Sequence, residues 1–516
     1  MIRGPAARVR GAPAKVLVIA AISTAAGFAG RPARAADLFV GSTRDVVNGD
    51  TSSPAALASN PGPDGISLRE ALLAAASEPG PHRVEIDRAL SGSSIVLASD
   101  LPPILRDGIS LVGPTDAAGQ PLVTISGSPI SVFASRFRMS GLRLAGVRGA
   151  AVFVFAGSPD FPTSGTIADV RIENDVFDGT DAAGAGHGIA IGTAADSALA
   201  SFRRVTISGN TFLGFRGDDA AILCEAGGTA GEIRGVSVAK NTFSRNSIAI
   251  RAGVVGRGDR LSALAIAANE FRDNAIAVAV ISGALSGSPP SVEGVVEGLR
   301  IEGNRIRQGE NSAIYFLAGG GEATRLVIRD VEIVNNVIWG GSGFAIGGEA
   351  GSGSGATNNR IEGIRVVNDT IAVAGTRSGL AFYRDSYGAE GNSVTGIEVL
   401  NSIFAGDGVD FAGDEKPDSV SHSIVGDPPY AGTEGNFSAP PGFVDAAGGD
   451  FHLLPGSAAI GKGRISGAPC RDLEGRARFA DGAVDIGAYE FGAPVLLRPC
   501  PIIAPDRAGP GTSLSR

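Results

Sequence analysis

Val205-Thr-Ile207-Ser-Gly-Asn210-Thr-Phe212 is one copy of a phrase that recurs through the middle of the chain. Apolar and polar residues alternate before its Asn, which is the periodicity of a β-strand. The Asn, or an Asp or Ser in its place, marks eight copies: Asp175, Asn210, Asn241, Asn269, Asn304, Asn336, Asp369 and Ser402. The markers lie 28 to 35 residues apart. A phrase repeated at this period is typical of a solenoid.

A second alternating run follows each marker after a variable loop, as in Ile189-Ala-Ile191 and Ile248-Ala-Ile250. No helical pattern separates the two runs, so we expect an all-β coil whose equivalent strands stack as parallel sheets about 4.8 Å apart. The apolar residue two positions after the marker should form an internal stack through Phe177, Phe212, Phe243 and Phe271. The marker itself should make the bend, because Asn tolerates left-handed backbone and can bond its own main chain.

The repeated strand–Asn–strand phrase resembles the right-handed parallel β-helix of the pectate-lyase-like superfamily over residues 95–440. The resemblance implies the fold class, an all-β right-handed parallel β-helix. It does not fix an activity, because this fold hosts lyases, glycosidases and proteins without catalysis.

Residues 1–35 have the pattern of a secretory signal peptide: a basic start, an apolar run from Val16 to Gly30 and the small-x-small site Ala33-Arg-Ala35. We therefore expect a protein that is secreted or held at the cell surface. Residues 1–35 carry six of the 44 basic residues and none of the 53 acidic ones, which leaves the mature chain with a net charge of −15. That charge argues against nucleic acid and anionic membranes as partners.

Residues 36–94 should start and cap the solenoid. Ser67 begins a predicted helix, since Glu70 completes a capping box and Glu78-Pro-Gly80 ends it. Ser67-Leu-Arg-Glu-Ala71 resembles the CSLREA segment that begins many secreted bacterial β-helix proteins, with Ile66 where that family has Cys. The apolar Ile66 indicates buried packing at this position.

Residues 441–492 differ from the repeats and end in Val484-Asp-Ile-Gly-Ala-Tyr-Glu-Phe491. With the preceding Gly449-Asp-Phe-His452, they resemble the choice-of-anchor Q domain that closes many secreted β-helix chains. The flexible tail predicted over 493–516 has no apolar span, so we expect no membrane span in the mature chain. Cys470 and Cys500 flank this motif, and in an exported chain they are predicted to form a disulfide; two unpaired thiols are the alternative.

Two stretches offer candidate chemistry. Aligning the second strands of neighbouring coils brings His187 within reach of Asp218 or Asp219, which would suit an acid/base pair. The alternative interpretation is a solvated loop end where these residues form turns. Gly186-His-Gly188 and Gly217-Asp-Asp219 resemble two polygalacturonase motifs, but in the opposite order and without the other motifs of that family.

The same alignment pairs Ile222 with Ile248 and Cys224 with Ile250, which would place Glu225 directly beside Arg251 as an exposed surface ion pair. Glu225, Arg251 and Asp385 are the candidate substrate-binding residues. No cofactor is indicated. Calcium stays open as a ligand, because lyases of this fold often pair it with a basic residue, yet no Asp-x-Asp-x-Asp loop is present.

Two functions follow from the sequence. The favoured one is a non-catalytic β-helix protein that binds an extracellular polysaccharide or a cell-surface component. The alternative is a polysaccharide lyase or glycoside hydrolase. One Trp and five Tyr leave few aromatic platforms for a sugar-cleaving cleft, which is why binding without catalysis is favoured.

Overall fold

The computed structural model describes residues 36–157, 165–180, 186–193, 200–283, 291–373, 378–479 and 482–495. Its described part is almost entirely β-structure, arranged as three parallel sheets that run the length of a right-handed parallel β-helix. Each regular coil contributes one strand to each sheet, and the sheets contain 13, 11 and 10 strands. The fold class predicted from the repeat is confirmed.

The first sheet holds β1 (Ala36–Val40), β2 (His82–Ile86), β4 (Ile109–Val112), β7 (Arg138–Ser140), β10 (Thr166–Glu173), β13 (Ser201–Ser208), β16 (Glu232–Ala239), β19 (Arg260–Ala267), β22 (Val295–Glu302), β25 (Val327–Val334), β28 (Arg360–Val367), β31 (Ser393–Leu400) and β34 (Ser419–Ser421). The second sheet holds β3 (Ser94–Val96), β5 (Thr124–Ser126), β8 (Arg143–Ala145), β11 (Val176–Asp178), β14 (Thr211–Leu213), β17 (Thr242–Ser244), β20 (Glu270–Asn274), β23 (Arg305–Gln308), β26 (Val337–Gly340), β29 (Thr370–Ala372) and β32 (Ile403–Ala405).

The third sheet holds β6 (Ile130–Val132), β9 (Val152–Ala156), β12 (Ile189–Thr193), β15 (Ala220–Ala226), β18 (Ile248–Val254), β21 (Ile276–Ser282), β24 (Ile314–Gly320), β27 (Ile346–Ser352), β30 (Ser378–Ser386) and β33 (Val409–Gly413). The short strands β35 (Phe443–Asp445) and β36 (Asp450–Leu453) pair antiparallel outside the three sheets. One 3₁₀ helix spans Arg88–Leu90, and the helices α1 (Pro54–Ser59) and α2 (Leu68–Ser77) lie near the N-terminal end.

The core is a continuous apolar column inside the coils, because inward side chains of each strand stack on their equivalents one coil away. The predicted phenylalanine stack is part of it. Phe177, Phe212, Phe243 and Phe271 are fully buried, and successive rings lie 4.8, 4.9 and 4.9 Å apart with nearly parallel planes. The series then continues with aliphatic residues, beginning with Ile306.

The marker residues form a buried polar ladder between the first and second sheets. In each regular step the Asn Oδ1 accepts from the backbone N–H and the Nδ2 of the preceding marker, as Asn241 does from Asn210 at 2.9 and 3.1 Å. Its Nδ2 also donates to a carbonyl of the preceding coil, Ile207 O in this case. The ladder thus provides hydrogen-bond partners for buried backbone groups at this corner of successive coils.

The expectation that the marker itself makes a left-handed bend is wrong. The left-handed residue is the one before it, for example Lys240 at φ +58° and Ala268 at φ +53°. The marker side chains bond the main chain of the adjacent coil rather than their own. A side chain that must reach the neighbouring coil cannot also close its own turn.

The N-terminal cap confirms the predicted helix start. Ser67 caps α2, and Glu70 accepts from the backbone N–H of Ser67 while also accepting from Asn48 and Gly49. Ile66 is partly buried against the core, as its apolar character indicated. The cap also supplies β1 and β2 to the first sheet, so that sheet begins before residue 95.

The segment 441–495 docks sideways on the solenoid, and we name it the C-terminal clamp. Three residues that precede ladder markers hold it: Asn335 donates to Arg471 O, Asn368 to Asp485 O and Asn401 to Arg464 O, at 2.7, 3.0 and 2.8 Å. The clamp covers the outer side of the second sheet, where its Phe451 packs on Trp339.

The clamp contains a fully buried arginine, Arg478. Arg478 donates to Glu490 and Asn335 at 3.0 and 2.7 Å, and also to the carbonyl oxygens of Asp485 and Gly487. Burial raises the pKa of Glu490, and the charge of Arg478 opposes that rise. Because Asn335 belongs to the solenoid, this network ties the clamp to the coils.

The cysteines fall in two environments. Cys224 is buried and free at an inward position of β15. Cys470 is disulfide-bonded. Its predicted partner Cys500 lies outside the described residues, so the pairing stays a prediction.

Candidate functional site

The outward face of the third sheet carries the candidate site. Side chains alternate along each strand, so one set packs into the core and the other faces away from it. Outward positions of successive strands line up in two rows. The first row contains Phe153, Ala190, Leu223, Arg251, Ala279, Tyr315, Gly347 and Ala381. The second contains Phe155, Gly192, Glu225, Gly253, Ile281, Leu317, Glu349 and Tyr383.

Glu225 and Arg251 form an ion pair, but not in the predicted register. Ile222 pairs with Ile250 rather than Ile248, so Arg251 lies opposite Leu223 and Glu225 lies opposite Gly253. The long arginine side chain reaches diagonally, and its Nη2 lies 3.0 Å from the Glu225 carboxylate. The pair is also less exposed than expected, with 11% of the Arg251 side chain and 24% of the Glu225 side chain accessible.

His187 lies just before β12 and meets the following coil where the sequence alignment placed it. Its Nδ1 lies 3.0 Å from Ala220 N and 3.1 Å from Ala220 O, and Nε2 lies 4.0 Å from Asp219 Oδ1. The Ala220 backbone therefore occupies Nδ1, which accepts from the N–H or donates to the carbonyl oxygen according to the tautomer of the ring. The other ring nitrogen, Nε2, faces Asp219.

The electrostatics of this pair differ from those of free side chains. Burial lowers the pKa of His187 to about 4, and Arg251 adds to the effect, so the imidazole is neutral at pH 7. Burial, with repulsion from Asp218, raises the pKa of Asp219 to about 6. Asp219 therefore changes charge in the slightly acidic range, while His187 remains a neutral hydrogen-bond donor.

Asp385 does not join the other candidate residues. It lies on β30, five strands from Glu225 or about 24 Å at the usual strand spacing. Its Oδ1 accepts from the backbone N–H and Nδ2 of Asn392 at 3.0 and 2.7 Å, and Asn392 in turn accepts from Asn359. Asp385 thus ends a second buried amide ladder at another corner of the coil.

The distance between Asp385 and the Asp218–Asp219 pair decides whether these carboxylates could bind one calcium ion together. Asp218 and Asp219 are adjacent acidic residues. Asp385 lies on a distant coil, where its Oδ1 accepts a hydrogen bond from Asn392. Within the described ranges, no group of three or more His, Cys, Asp or Glu side chains has a metal-binding arrangement. Asp218, Asp219 and Asp385 therefore do not come together at one shared site.

Aromatic side chains at one end of the same face were missed by the sequence reasoning. The rings of Phe153 and Phe155 stack at 4.4 Å, and Phe133 packs edge-on against Phe153. Gly192 makes room for them, since a Cβ there would lie 2.6 Å from the Phe155 ring. Both stacked rings are half-buried, so part of each is open to solvent. The alternation in Val152-Phe-Val-Phe-Ala156 contained this signal.

A second polar–aromatic group lies farther along the face. Burial, and then a hydrogen bond with Glu349, raise the pKa of the Tyr315 hydroxyl. Tyr383 follows Glu349 in the same row and packs against Phe344 with ring centroids 5.9 Å apart. Small residues such as Ala279 and Gly347 separate these groups. The face therefore offers aromatic surfaces and hydrogen-bonding groups in line along the helix axis.

Such a line suits an extended polymer. Sugar rings present apolar faces and hydroxyl edges, and an aromatic side chain with a polar neighbour complements both. Arg251, Glu349 and the Nε2 atom of His187 provide polar groups between the two aromatic ends.

Comparison with known proteins shows similarity in fold alone. No family model matches the chain, and no curated protein matches it. Among solved structures, the A-module of the mannuronan C-5 epimerase AlgE6 from Azotobacter vinelandii is 15% identical with a TM-score of 0.38 and covers 70% of this chain and 95% of its own. Pectate lyase Pel9A is 12% identical with a TM-score of 0.25, covering 89% and 97%.

An alginate lyase complexed with a trisaccharide is 12% identical with a TM-score of 0.33, and covers 79% of this chain and 89% of its own. These structures are pectate-lyase-like parallel β-helix proteins. In the described part of the chain, no helix has the length and apolar character needed to cross a membrane.

Proposed function

We propose that this chain is a secreted or cell-surface protein that binds an extracellular polysaccharide along the outward face of its third sheet, without cleaving it. The observation that carries the proposal is the alignment of half-exposed aromatic rings at both ends of the face with polar groups between them. The basic, apolar and small-x-small pattern of residues 1–35 supports export, as does the disulfide-bonded Cys470.

The polar groups favour binding over catalysis. The backbone of Ala220 occupies Nδ1 of His187, at 3.0 Å from N and 3.1 Å from O, so only Nε2 of this ring faces Asp219. Glu225 is engaged by Arg251, which leaves Asp219 as the one carboxylate beside His187 with a pKa near neutral. A single poised carboxylate does not make the pair of acids that glycosidases use.

Removing the two aromatic ends should weaken polysaccharide binding. We expect the Phe155→Ala/Tyr383→Ala double variant to lose about 2 kcal/mol, roughly 30-fold in Kd, because two ring contacts are removed. Kd values for a panel of neutral and acidic polysaccharides, measured by isothermal titration calorimetry, check this. Phe39→Ala removes an exposed ring from the first sheet and serves as the control. Equal Kd values for the double variant and the wild type would contradict the proposal.

The second candidate is a lyase or glycosidase, the alternative that the sequence left open. It is favoured by the Asp219 carboxyl, whose pKa of about 6 lies close to neutral His187. Under this candidate, product formation rises with pH through about 6 as Asp219 becomes a base, and Asp219→Asn abolishes it. Assays for new reducing ends and unsaturated products across the same panel check this. An absence of products from the wild type rules this candidate out for the panel.

The family resemblances of the N-terminal and C-terminal segments add two domain assignments to the proposal. We assign residues 36–94 as a CSLREA-like cap and residues 441–492 as a segment like the choice-of-anchor Q domain. The capping box at Ser67 supports the first assignment. The docked fold of the clamp supports the second.

A further inference from the structure

The outward face of the first sheet has two halves with different charge patterns. Toward the C-terminal end, charges alternate in sign from strand to strand. Arg300, Glu332, Arg365 and Glu398 occupy one row on β22, β25, β28 and β31, and every step between them is an ion pair. In this half of the sheet, each outward charge of the row is therefore paired with an opposite charge on a neighbouring strand.

Toward the N-terminal end, arginine lies opposite arginine. Arg138 on β7 pairs with Arg171 on β10, and Arg203 on β13 pairs with Arg234 on β16. We name these four residues the arginine patch. Like charges directly opposite each other in a sheet are destabilising, so this arrangement works against folding rather than for it.

The patch is exposed, and its arginines make no close ion pair. All four side chains are exposed, and none forms an ion pair within 4.0 Å among the described residues. Three carboxylates lie nearby: Asp169 forms a two-bond pair with Arg204, Glu173 accepts from Ser208, and Glu232 lies two residues before Arg234. The four positive charges lie on four consecutive strands, spanning about 14 Å.

The surroundings indicate what kind of anion fits. Hydroxyl groups of Thr206, Ser208 and Ser237 lie beside the arginines on the same face. The outward positions of these four strands contain no aromatic side chain in the described residues, so nothing offers a stacking platform for bases. The mature chain is acidic overall, so attraction of any polyanion to this face depends on the local charge of the patch and not on the net charge.

From these observations we infer that the arginine patch is a second binding surface, specific for an acidic polysaccharide bearing carboxylate or sulfate groups. The arginines pair with the anionic groups of the polymer, and the hydroxyl side chains bond its sugar hydroxyls. The patch lies on a different sheet from the site proposed above, so the two surfaces succeed or fail separately.

The test measures binding of the full mature chain to polygalacturonate and dextran sulfate, with the methyl ester of polygalacturonate and plain dextran as uncharged partners. We expect the quadruple variant with Gln at positions 138, 171, 203 and 234 to bind both acidic polymers at least tenfold more weakly at about 50 mM salt. The control variant Arg148→Gln/Arg245→Gln removes two exposed arginines elsewhere and should change Kd less than twofold. Raising the salt should weaken the wild type more than the quadruple variant.

Several outcomes would overturn the inference: no binding of either acidic polymer, equal binding of the uncharged partners, or an unchanged quadruple variant. A 20-base-pair DNA or phosphatidylserine vesicles that bind more tightly than both polymers, with loss in the quadruple variant, would also overturn it. Loss of acidic-polymer binding in Phe155→Ala/Tyr383→Ala with no effect of the quadruple variant would assign that binding to the third sheet instead. A thermal melt of the quadruple variant that matches the wild type shows that folding is retained.

Discussion

Replacing Arg478 with Met is expected to lower the free energy of unfolding by about 3–5 kcal/mol and to release the C-terminal clamp. The substitution removes the buried counter-charge of the Glu490 carboxyl and the Arg478 donor of the Asn335 amide oxygen. The carbonyl oxygens of Asp485 and Gly487 lose one donor each and keep the Asn368 side chain. The Glu490 carboxylate then lacks compensation for its lost hydration. Limited proteolysis should cleave the variant within residues 441–495 before it cleaves the solenoid.

The matched control is Arg476→Gln, two residues away. Arg476 is about one-third exposed and pairs with Glu474 at 3.1 Å, so its loss should cost about 1 kcal/mol or less. Equal stability of Arg478→Met and Arg476→Gln would contradict the role assigned to the buried network. So would a clamp that stays as resistant to protease as in the wild type.

Replacing Asp369 with Asn is expected to stabilise the protein by about 4 kcal/mol at pH 8 and to change little at pH 4. Asp369 occupies a marker position in the buried ladder, where its Oδ1 accepts from Asn336 N and Nδ2 but its Oδ2 has no hydrogen-bond partner among the described residues. Burial raises the pKa of this carboxyl to about 7. Asn supplies a donor at the unpartnered atom without a charge.

The direction of the pH dependence follows from the raised pKa. Between the unfolded pKa near 4 and the folded pKa of about 7, the folded state binds more protons, so wild-type stability falls as pH rises through this window. Urea denaturation from pH 4 to pH 8 measures it, and Asp369→Asn should flatten the curve. Asp330→Asn changes an exposed carboxylate and is the control. A variant that keeps the wild-type pH dependence would show that Asp369 is not the titrating group.

The fold was predictable because the repeated phrase specifies one coil at a time. Phe212 and Asn210 recur at fixed offsets, and stacking identical side chains on neighbouring coils satisfies both the core and the ladder. What the phrase did not reveal was which residue bends. The left-handed positions are occupied by residues as different as Lys240 and Gly303, so no single residue type identifies them in the sequence.

The register of the third sheet was predicted correctly at one step and wrongly at the next. Ile189 pairs with Ile222 as expected, but Ile222 pairs with Ile250. Ile248 and Ile250 are both apolar and two residues apart, so a slip of two residues keeps every side chain on its proper face. The side chain of Asn246 accepts a hydrogen bond from Phe215 N and so fixes the register of that coil. The alternation of apolar and polar residues could not predict this hydrogen bond.

The proximity of candidate residues was predicted correctly on adjacent coils and wrongly for distant ones. His187 and Asp219 approach each other as expected. Asp385 was grouped with them by residue type alone, whereas its carboxylate belongs to a ladder. The aromatic ends of the third sheet were overlooked because counting Trp and Tyr ignored Phe153 and Phe155 at outward positions.

The most direct test of polysaccharide binding on the third sheet is hydroxyl-radical footprinting of the mature chain, read by mass spectrometry with and without a neutral polysaccharide that it binds. We predict reduced oxidation of Phe153, Phe155 and Tyr383 in the complex, and unchanged oxidation of Phe39 on the first sheet and Phe491 on the clamp. Protection of Phe39 or Phe491 without protection of the third-sheet rings would contradict the proposed site.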